Sequence, residues 1–194
     1  MIRKKKVFWM NLVLVFVLMA GLVLPAANVS AAGKSEKKKV LVVYFSATGT
    51  TKSAAKKVKK ATGGKLYQIK AAKRYTNADI DYSNDDCRAN KEQNDESSRP
   101  KITGKVKNIR KYDVIFIGYP VWHGKEPMII RSFLESYNLK GKKIVPFCTS
   151  GGSGISGSMK GVKAVAKGAK VVKGKDLTDS SAKSVKSWAK KKVK

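Results

Sequence analysis

The chain has 194 residues and a formal net charge of +29, with 42 lysine and arginine residues against 13 acidic residues. One histidine and two cysteines, widely separated in the sequence, argue against a metal site built from closely spaced Cys and His ligands. Lysine far outnumbers arginine and no basic motif is interleaved with aromatic residues, so we do not expect nucleic-acid binding. The charge instead favours anionic partners or surfaces, such as a cell wall or lipid headgroups.

The first 32 residues have the pattern of a secretory signal peptide. Residues 3–6 form a positive n-region, residues 7–24 are apolar apart from Asn11, and residues 27–32 offer small side chains for cleavage. An uncleaved membrane anchor is the alternative, because an apolar run of about 18 residues is just long enough to span a bilayer. We predict an exported protein that is extracellular or associated with the cell surface.

Residues 33–38 are interpreted as a short charged linker, and residues 39–194 as one domain. In chain order, the hydrophobic patterns predict strands at residues 39–45, 65–70, 113–118, 143–148 and 169–173. They predict helices at residues 50–61, 127–137, 156–169 and 180–193. Strands alternating with helices predict an α/β fold with a doubly wound parallel sheet. Pro146 makes the fourth strand less regular in this prediction, because proline cannot donate to a sheet hydrogen bond.

The crossover between the second and third strands is unusually long, at about residues 71–111. Seven of the 13 acidic residues of the chain lie in it, between positions 79 and 96. We interpret this insert as a lid or a partner surface. It contains Cys87, which could form a disulfide with Cys148 in an oxidising compartment. We favour the unpaired state, because Cys148 ends an apolar run and has the character of a small buried hydrophobic residue.

Three loops follow the three buried strands, and in such sheets ligands bind at the carboxyl ends of the strands. Residues 46–51 are small and hydroxylated and precede a helix, whose N–H groups and dipole favour a phosphate. Residues 119–124 carry Trp122, which we expect to expose a flat face for stacking. Residues 149–154 are glycine-rich and allow close approach of a ligand. Together the loops predict one ligand with a phosphate at one end and a ring system at the other.

Each loop also has a purely structural interpretation. Residues 46–51 could be an ordinary strand-to-helix turn, and Trp122 could simply cover the end of the sheet. The first loop is neither a G-x-G-x-x-G dinucleotide fingerprint nor a Walker loop, because residues 46–51 match neither pattern.

The motifs YFSATGTT, YDVIFIGYPVWHG and PFCTSGGSGI, in this order, resemble flavodoxins, in particular a group with a long insert and a Y-P-x-W signature. The resemblance extends from residue 39 to the carboxyl terminus and includes YTNADIDY in the insert. It implies a five-stranded sheet in the order 2-1-3-4-5. It also implies FMN as the cofactor, bound where the strand order reverses, as is known for flavodoxins.

The same resemblance implies which residues bind FMN, with the phosphate on the first loop and the ring at the other two. These residues are Ser46, Ala47, Thr48, Gly49, Thr50, Thr51, Pro120, Val121, Trp122, His123, Gly124, Thr149, Ser150, Gly151, Gly152 and Gly154. His123 stands where the group commonly has a second tryptophan. It is either a neighbour of the flavin ring or a loop residue facing water, and we assign it no catalytic role.

Three functions are compatible with these observations. The favoured one is an electron carrier that uses bound FMN, with an anionic redox protein or small molecule as donor or acceptor. The second is an FMN-dependent reductase of quinones or other small molecules. The third is an exported surface protein that keeps the fold but binds anionic wall polymers through its basic surface.

Overall fold

The computed structural model describes residues 37–194, and the predicted signal peptide lies outside the described residues. In this part of the chain the strands are β1 (Val40–Tyr44), β2 (Lys65–Gln68), β3 (Lys70–Ala71), β4 (Ile102–Thr103), β5 (Val114–Pro120), β6 (Lys143–Thr149), β7 (Lys170–Val171) and β8 (Lys175–Asp176). The α-helices are α1 (Thr50–Thr62), α2 (Arg88–Asn94), α3 (Met128–Glu135), α4 (Met159–Val165) and α5 (Ala182–Val193). Single 3₁₀ turns lie at Ala78–Ile80, Ile109–Lys111 and Ser156–Ser158. Between residues 37 and 194 we find no helix with the length and apolarity that a membrane crossing requires.

The main sheet is parallel, with the order β2-β1-β5-β6 and then β7 and β8. Both β7 and β8 pair with the outer edge of β6, β7 with its first part and β8 with its last. If β7 and β8 are counted as one interrupted strand, this is the predicted order 2-1-3-4-5. The predicted doubly wound α/β fold is therefore confirmed.

Alternate residues of the central strands pack on opposite faces of the sheet. On one face Val42 packs with α1 and α5, through residues such as Ala55 and Val185. On the other face Val43 packs with α3, α4 and the insert, through residues such as Ile129. Both faces are covered, which explains why the central strands are apolar at every position. The edge formed by the carboxyl ends of the strands, here called the carboxyl edge, is left for a ligand.

Pro146 does not disturb β6, which forms a regular pair with β5 over seven residues. The N–H of Lys143 points to β5, where it donates to the Asp113 carbonyl at 3.0 Å. Because N–H groups alternate in direction along a strand, position 146 faces the outer side. There it lies between the residues paired to β7 and those paired to β8, so the missing proline N–H removes no pairing.

The predicted second strand, residues 65–70, is wrong in its last part. β2 ends at Gln68, and β3 pairs antiparallel with β4 in a separate two-stranded sheet. Between them Ile69 is buried and donates its N–H to the Tyr44 carbonyl at 2.8 Å. The chain leaves the main sheet immediately after this residue. Alternating hydrophobicity could not reveal the change, because both sheets have the same period of two residues.

The predicted helix 156–169 and strand 169–173 are also too long. A 3₁₀ turn precedes α4, and α4 ends at Val165, shortly before Gly168 with its left-handed φ of 74°. The edge strand is interrupted at Gly174, where an added Cβ would lie 2.7 Å from the carbonyl oxygen of Pro146. Local backbone geometry and close packing set these ends, and neither is visible as a hydrophobic period.

Cys87 and Cys148 are both buried and free. Burial raises the pKa of the Cys148 thiol, and the neighbouring carboxylate of Asp176 raises it further. Cys148 is therefore a protonated, small hydrophobic residue of β6 at neutral pH.

Candidate functional site

A cavity of about 450 Å³ lies at the carboxyl edge of β1, β5 and β6. Its walls come from all three predicted loops and from two further segments. The lining residues are Ser46, Ala47, Thr48, Thr50, Thr51, Ile80, Tyr82, Pro120, Val121, Trp122, Thr149, Ser150, Gly151 and Thr178. The structure thus brings together eleven of the sixteen residues predicted from the sequence. We call this space the loop cavity.

The other five predicted residues do not line the loop cavity. Gly49 lines an adjoining cavity instead. His123 is exposed with a left-handed φ of 47°, and its Nε2 pairs with the amide oxygen of Asn90. Gly124 follows it in the same turn. The N–H groups of Gly152 and Gly154 donate to the Ser150 hydroxyl at 3.3 and 3.0 Å, so they stabilise their own loop.

The first loop presents backbone donors at the start of α1. Gly49 adopts a left-handed φ of 102° and donates its N–H to the Ser46 hydroxyl at 3.0 Å. The first helical hydrogen bond runs from the Ser53 N–H to the Gly49 carbonyl. The N–H groups of positions 50–52 therefore have no acceptor within the helix. Among the described residues α1 has no side-chain cap and no acidic residue in its first turn, so this end favours an anion.

The first and third loops are joined by buried hydroxyl groups, and the third is fixed to the segment that follows it. Thr51 and Thr149 share a buried hydrogen bond of 2.7 Å that joins α1 to β6. The Ser150 hydroxyl donates to the Asp176 carboxylate at 2.6 Å, and the Ser150 N–H donates to the Thr178 hydroxyl at 2.8 Å. These bonds hold the third loop against the segment that follows β8.

Asp176 anchors this arrangement as a carboxylate. Burial opposes its ionisation, but hydrogen bonds from Ser150 and Thr178 outweigh burial and hold the pKa of Asp176 below its usual range. The carboxylate is therefore charged at neutral pH and accepts the bonds that shape the third loop. The sequence pattern gave no signal for this residue, because it lies in an edge strand of only two residues.

Trp122 does not expose a flat face, and this prediction is wrong. Its side chain is only 2% exposed. The ring packs edge-on against Phe45, Tyr75 and Tyr82, with centroid distances of 5.6, 5.2 and 6.5 Å. Trp122 therefore contributes to the wall of the loop cavity while most of its surface is in the core. The insert supplies two of these three aromatic neighbours, which a loop motif alone could not show.

Tyr82 is the exposed aromatic residue of this site, and sequence reasoning missed it. It is 45% exposed, the only large hydrophobic side chain classed as exposed between residues 37 and 194. It lines the loop cavity and packs at 5.3 Å against the His123 ring. Burial of one part of the ring raises the pKa of Tyr82 to about 12, so its hydroxyl is neutral at physiological pH. The signal available was an aromatic residue, one of two in a mostly polar insert.

The insert supports the second loop through two buried amides of α2. Gln93 donates to the carbonyls of Trp122 and Glu126 at 3.1 and 3.2 Å and accepts the Met128 N–H at 3.1 Å. Asn90 holds His123, and also donates to the Asn84 carbonyl at 2.9 Å. The insert therefore acts as a wall that fixes the loop between β5 and α3.

Behind the second loop, a close glycine contact fixes its position. An added Cβ on Gly157 would lie 2.2 Å from the Gly124 carbonyl oxygen, so only glycine allows this approach. The segment before α4 thus supports the loop from the side opposite the insert.

A second cavity, of about 420 Å³, adjoins the first loop on the side of β2. It shares the wall of residues 46–48 with the loop cavity and has Phe45 and Tyr75 in its lining. Three cations also line it: Lys52, Lys70 and Arg74. We call it the basic cavity.

The donors present in the loop cavity fit a phosphorylated ring compound. Unpaired amides at Thr50 and Thr51 suit a phosphate, and the hydroxyls of Thr48 and Thr50 add donors. Tyr82 offers apolar surface to a ring. The volume is also in the range of small-molecule sites, which is about 300–1,000 Å³.

Comparisons with known proteins identify the family of this fold. A family model described as flavodoxin matches residues 39–192. A candidate flavoprotein from Bacteroides eggerthii is 46% identical, with a TM-score of 0.76 over 79% of this chain and 96% of its own. One from Bacteroides uniformis is 42% identical, with a TM-score of 0.76 over 80% of this chain and 99% of its own. A flavoprotein in complex with FMN from Lactobacillus acidophilus is 26% identical, with a TM-score of 0.60 over 72% of this chain and 93% of its own.

A search of curated proteins found no match. The family match nevertheless spans most of the described domain, and the two Bacteroides structures share its fold at more than 40% identity. The chain belongs to the flavodoxin family.

Proposed function

We propose that the protein is an exported FMN-binding carrier that transfers electrons through the bound flavin. The observation that carries the proposal is the loop cavity, which has unpaired helix amides at one end and the exposed ring of Tyr82 in its lining. FMN, when bound, supplies the electron-transfer chemistry, and the protein binds and orients it. The solved flavoprotein with FMN, which is 26% identical, supports this choice of cofactor.

Distinct parts of the chain would hold the two ends of FMN. The N–H groups of positions 50–52 and the hydroxyls of Thr48 and Thr50 would receive the phosphate. Tyr82 and residues 120–122 would contact the ring, and Thr149 to Gly151 would close the third side. The hydrogen bond between Thr51 and Thr149 holds the first loop against the third, and it would thereby fix the phosphate end relative to the rest of the site.

Electron transfer is tested by reducing the FMN-loaded protein without oxygen and mixing it with ferricyanide, an anionic one-electron acceptor. We expect rapid, complete reoxidation of the flavin with the FMN still bound, and a rate that falls as salt is added because the protein is basic. Release of FMN on reduction, or a bound flavin that does not react with any acceptor, would contradict the proposal.

Replacing Tyr82 with alanine should weaken FMN binding by about 1–3 kcal/mol, the range for truncating a packed aromatic anchor. The reason is that Tyr82 is the exposed aromatic surface in the loop cavity. The free energy of unfolding should change little, because the side chain is 45% exposed. Fluorescence titration with FMN measures the affinity, and urea unfolding measures the stability.

Tyr82→Phe is the matched control for this substitution. It keeps the ring and should keep nearly all of the affinity. Unchanged affinity in Tyr82→Ala would show that the tyrosine does not contact the flavin.

The reduction potential of the bound flavin should fall as salt rises. A cation about 10 Å from the flavin contributes on the order of 0.4 kcal/mol in a water-like dielectric, which is about 17 mV for one electron. Lys52, Lys70 and Arg74 in the adjoining basic cavity are the candidates for this field. A Debye length of about 8 Å at physiological ionic strength removes much of it. Redox titration at low and high salt measures the effect, and a constant potential would show that these cations do not tune the flavin.

The basic cavity favours one second candidate function, an FMN-dependent reductase. Its cations and aromatic lining suit a small anionic ring compound such as a substituted quinone. Steady turnover of NADPH with a quinone would favour this reductase, and Arg74→Gln should then raise KM for an anionic quinone more than for a neutral one. Absence of turnover would favour the carrier.

Export and anionic partners complete the proposal. Export is supported by the pattern of residues 1–32, and the sign of the partners by the net charge of +29. Mass spectrometry of the protein from its native cells would test export directly. A retained first methionine would contradict cleavage, and recovery of the protein from the cell interior would contradict export.

A further inference from the structure

The amino ends of the strands, at the edge opposite the loop cavity, carry a dense group of lysines. Strand register places Val40, Val114, Lys143 and Lys170 in one row across β1, β5, β6 and β7. Lys143 and Lys170 stand in this row, and Lys39 and Lys111 lie shortly before β1 and β5. We call six lysines at this edge the basal lysines: Lys38, Lys39, Lys111, Lys143, Lys170 and Lys192.

The basal lysines lie close enough to repel one another. Lys38, Lys39 and Lys111 line one depression of about 260 Å³. The Lys143 ammonium donates to the Lys192 carbonyl at 3.1 Å. Burial lowers the pKa of Lys143, and neighbouring basal lysines lower it further. Such a cluster of like charges opposes folding, so its presence calls for a counter-charge.

Acidic side chains within residues 37–194 supply only a small part of that counter-charge. The ion pairs found within residues 37–194 lie in the insert, in the loop before α3 and in α3, and none includes a basal lysine. Asp113 lines the depression and accepts the Lys39 N–H at 2.7 Å. The carboxyl-terminal ends of helices α1 and α5 each contribute about half a negative charge. Asp113 and these helix ends together offset about two of the six positive charges.

The basal lysines and the loop cavity lie at opposite ends of the strands. β1 is five residues long, so its two ends are about 17 Å apart. The chain enters the domain at this edge, through Lys37 and the basal lysines that follow it. In the sequence, twelve residues separate the apolar run 7–24 from Lys37. Twelve residues span at most about 43 Å. If residues 7–24 are held in a bilayer, the domain therefore stays near the lipid headgroups.

We propose that the basal lysines form a docking surface for a bilayer rich in anionic phospholipid. The headgroup phosphates supply the counter-charge that this edge lacks. A domain docked in this way turns its carboxyl edge, with the loop cavity, toward the aqueous side, where a partner can reach it. Docking does not require bound FMN, so it stands apart from the proposed electron transfer.

The test is sedimentation of the fragment 33–194 with vesicles. This fragment omits the apolar run, so binding cannot come from insertion of that run. It contains the whole family match at residues 39–192, and solved relatives matched over 96% and 99% of their own length consist of this domain alone. Vesicles of equal parts phosphatidylglycerol and phosphatidylcholine are compared with vesicles of phosphatidylcholine only.

Two triple variants with the same loss of charge separate a docking surface from general basicity. The basal variant carries Lys38→Gln, Lys39→Gln and Lys170→Gln. The control variant carries Lys73→Gln, Lys101→Gln and Lys160→Gln. All six positions are exposed. Each basal lysine is expected to contribute about fivefold in affinity, so the basal variant should bind anionic vesicles about a hundredfold more weakly. The control variant should lose less than about fivefold.

Each other outcome overturns the proposal. Equal loss in the two triple variants would show that the charge acts as a whole and not through the basal edge. Equal binding to phosphatidylcholine vesicles would exclude headgroup charge as the cause. A fragment that ignores anionic vesicles but binds a water-dissolved phosphodiester polymer would place the partner in the wall and not the bilayer. Circular dichroism establishes that the variants fold, and Lys170→Gln alone, expected to lose about fivefold, repeats the test with one change.

Discussion

Riboflavin should bind to the protein at least about a hundredfold more weakly than FMN. The two ligands differ only in the phosphate, which the unpaired N–H groups of positions 50–52 are placed to receive. A hydrogen bond to a charged group contributes about 1.5–3 kcal/mol, so two such bonds account for a factor of about a hundred or more. Equilibrium fluorescence titrations with the two ligands measure the ratio.

Inorganic phosphate provides the control for this comparison. At constant ionic strength, phosphate should weaken FMN binding by competing for the first loop, and it should leave riboflavin binding unchanged. Equal dissociation constants for the two flavins would show that residues 46–51 hold no phosphate. The loop would then be an ordinary turn between β1 and α1.

Replacing Trp122 with alanine should destabilise the fold by about 3–5 kcal/mol, the range for truncating a buried aromatic residue. The ring is 2% exposed and packs against three other aromatic rings. The substitution would leave a cavity between the insert and the sheet. Urea unfolding measures the loss, which Trp122→Phe should reduce to a smaller value because most of the buried surface is retained.

A loss below about 1 kcal/mol would mean that Trp122 is not part of the core. Strong loss of FMN affinity at unchanged stability would restore the stacking role expected from the sequence. Tyr82→Ala is the contrasting variant, because it should lower affinity and spare stability.

The fold class and strand order could be predicted because they depend on long, buried apolar strands alternating with helices. The segment ends could not. β2 ends at Gln68 because Ile69 turns the chain toward a second sheet, and α4 stops shortly before the left-handed backbone of Gly168. The end of β2 depends on the contact of Ile69 with Tyr44, far away in the sequence, and the end of α4 on local backbone geometry. A hydrophobic period encodes neither.

The loops of the site could be predicted because the carboxyl ends of parallel strands converge. The orientation of their side chains could not. Trp122 is buried because Tyr75 and Tyr82 from the insert pack against it, and Asn90 holds His123 away from the cavity. In the sequence, Asn90 lies 33 residues from His123, and Gln93 lies 29 residues from Trp122, whose carbonyl it binds. Both belong to a polar segment without a clear hydrophobic pattern.

The most direct test of the central claim is the absorption spectrum of the protein after incubation with excess FMN and removal of free ligand by gel filtration. We predict that the flavin bands in the visible region elute with the protein at one FMN per chain, and that they bleach on reduction and return on oxidation. A colourless, folded protein after the same treatment would contradict the proposed function. It would leave the flavodoxin fold as a scaffold whose role lies in its basic surface.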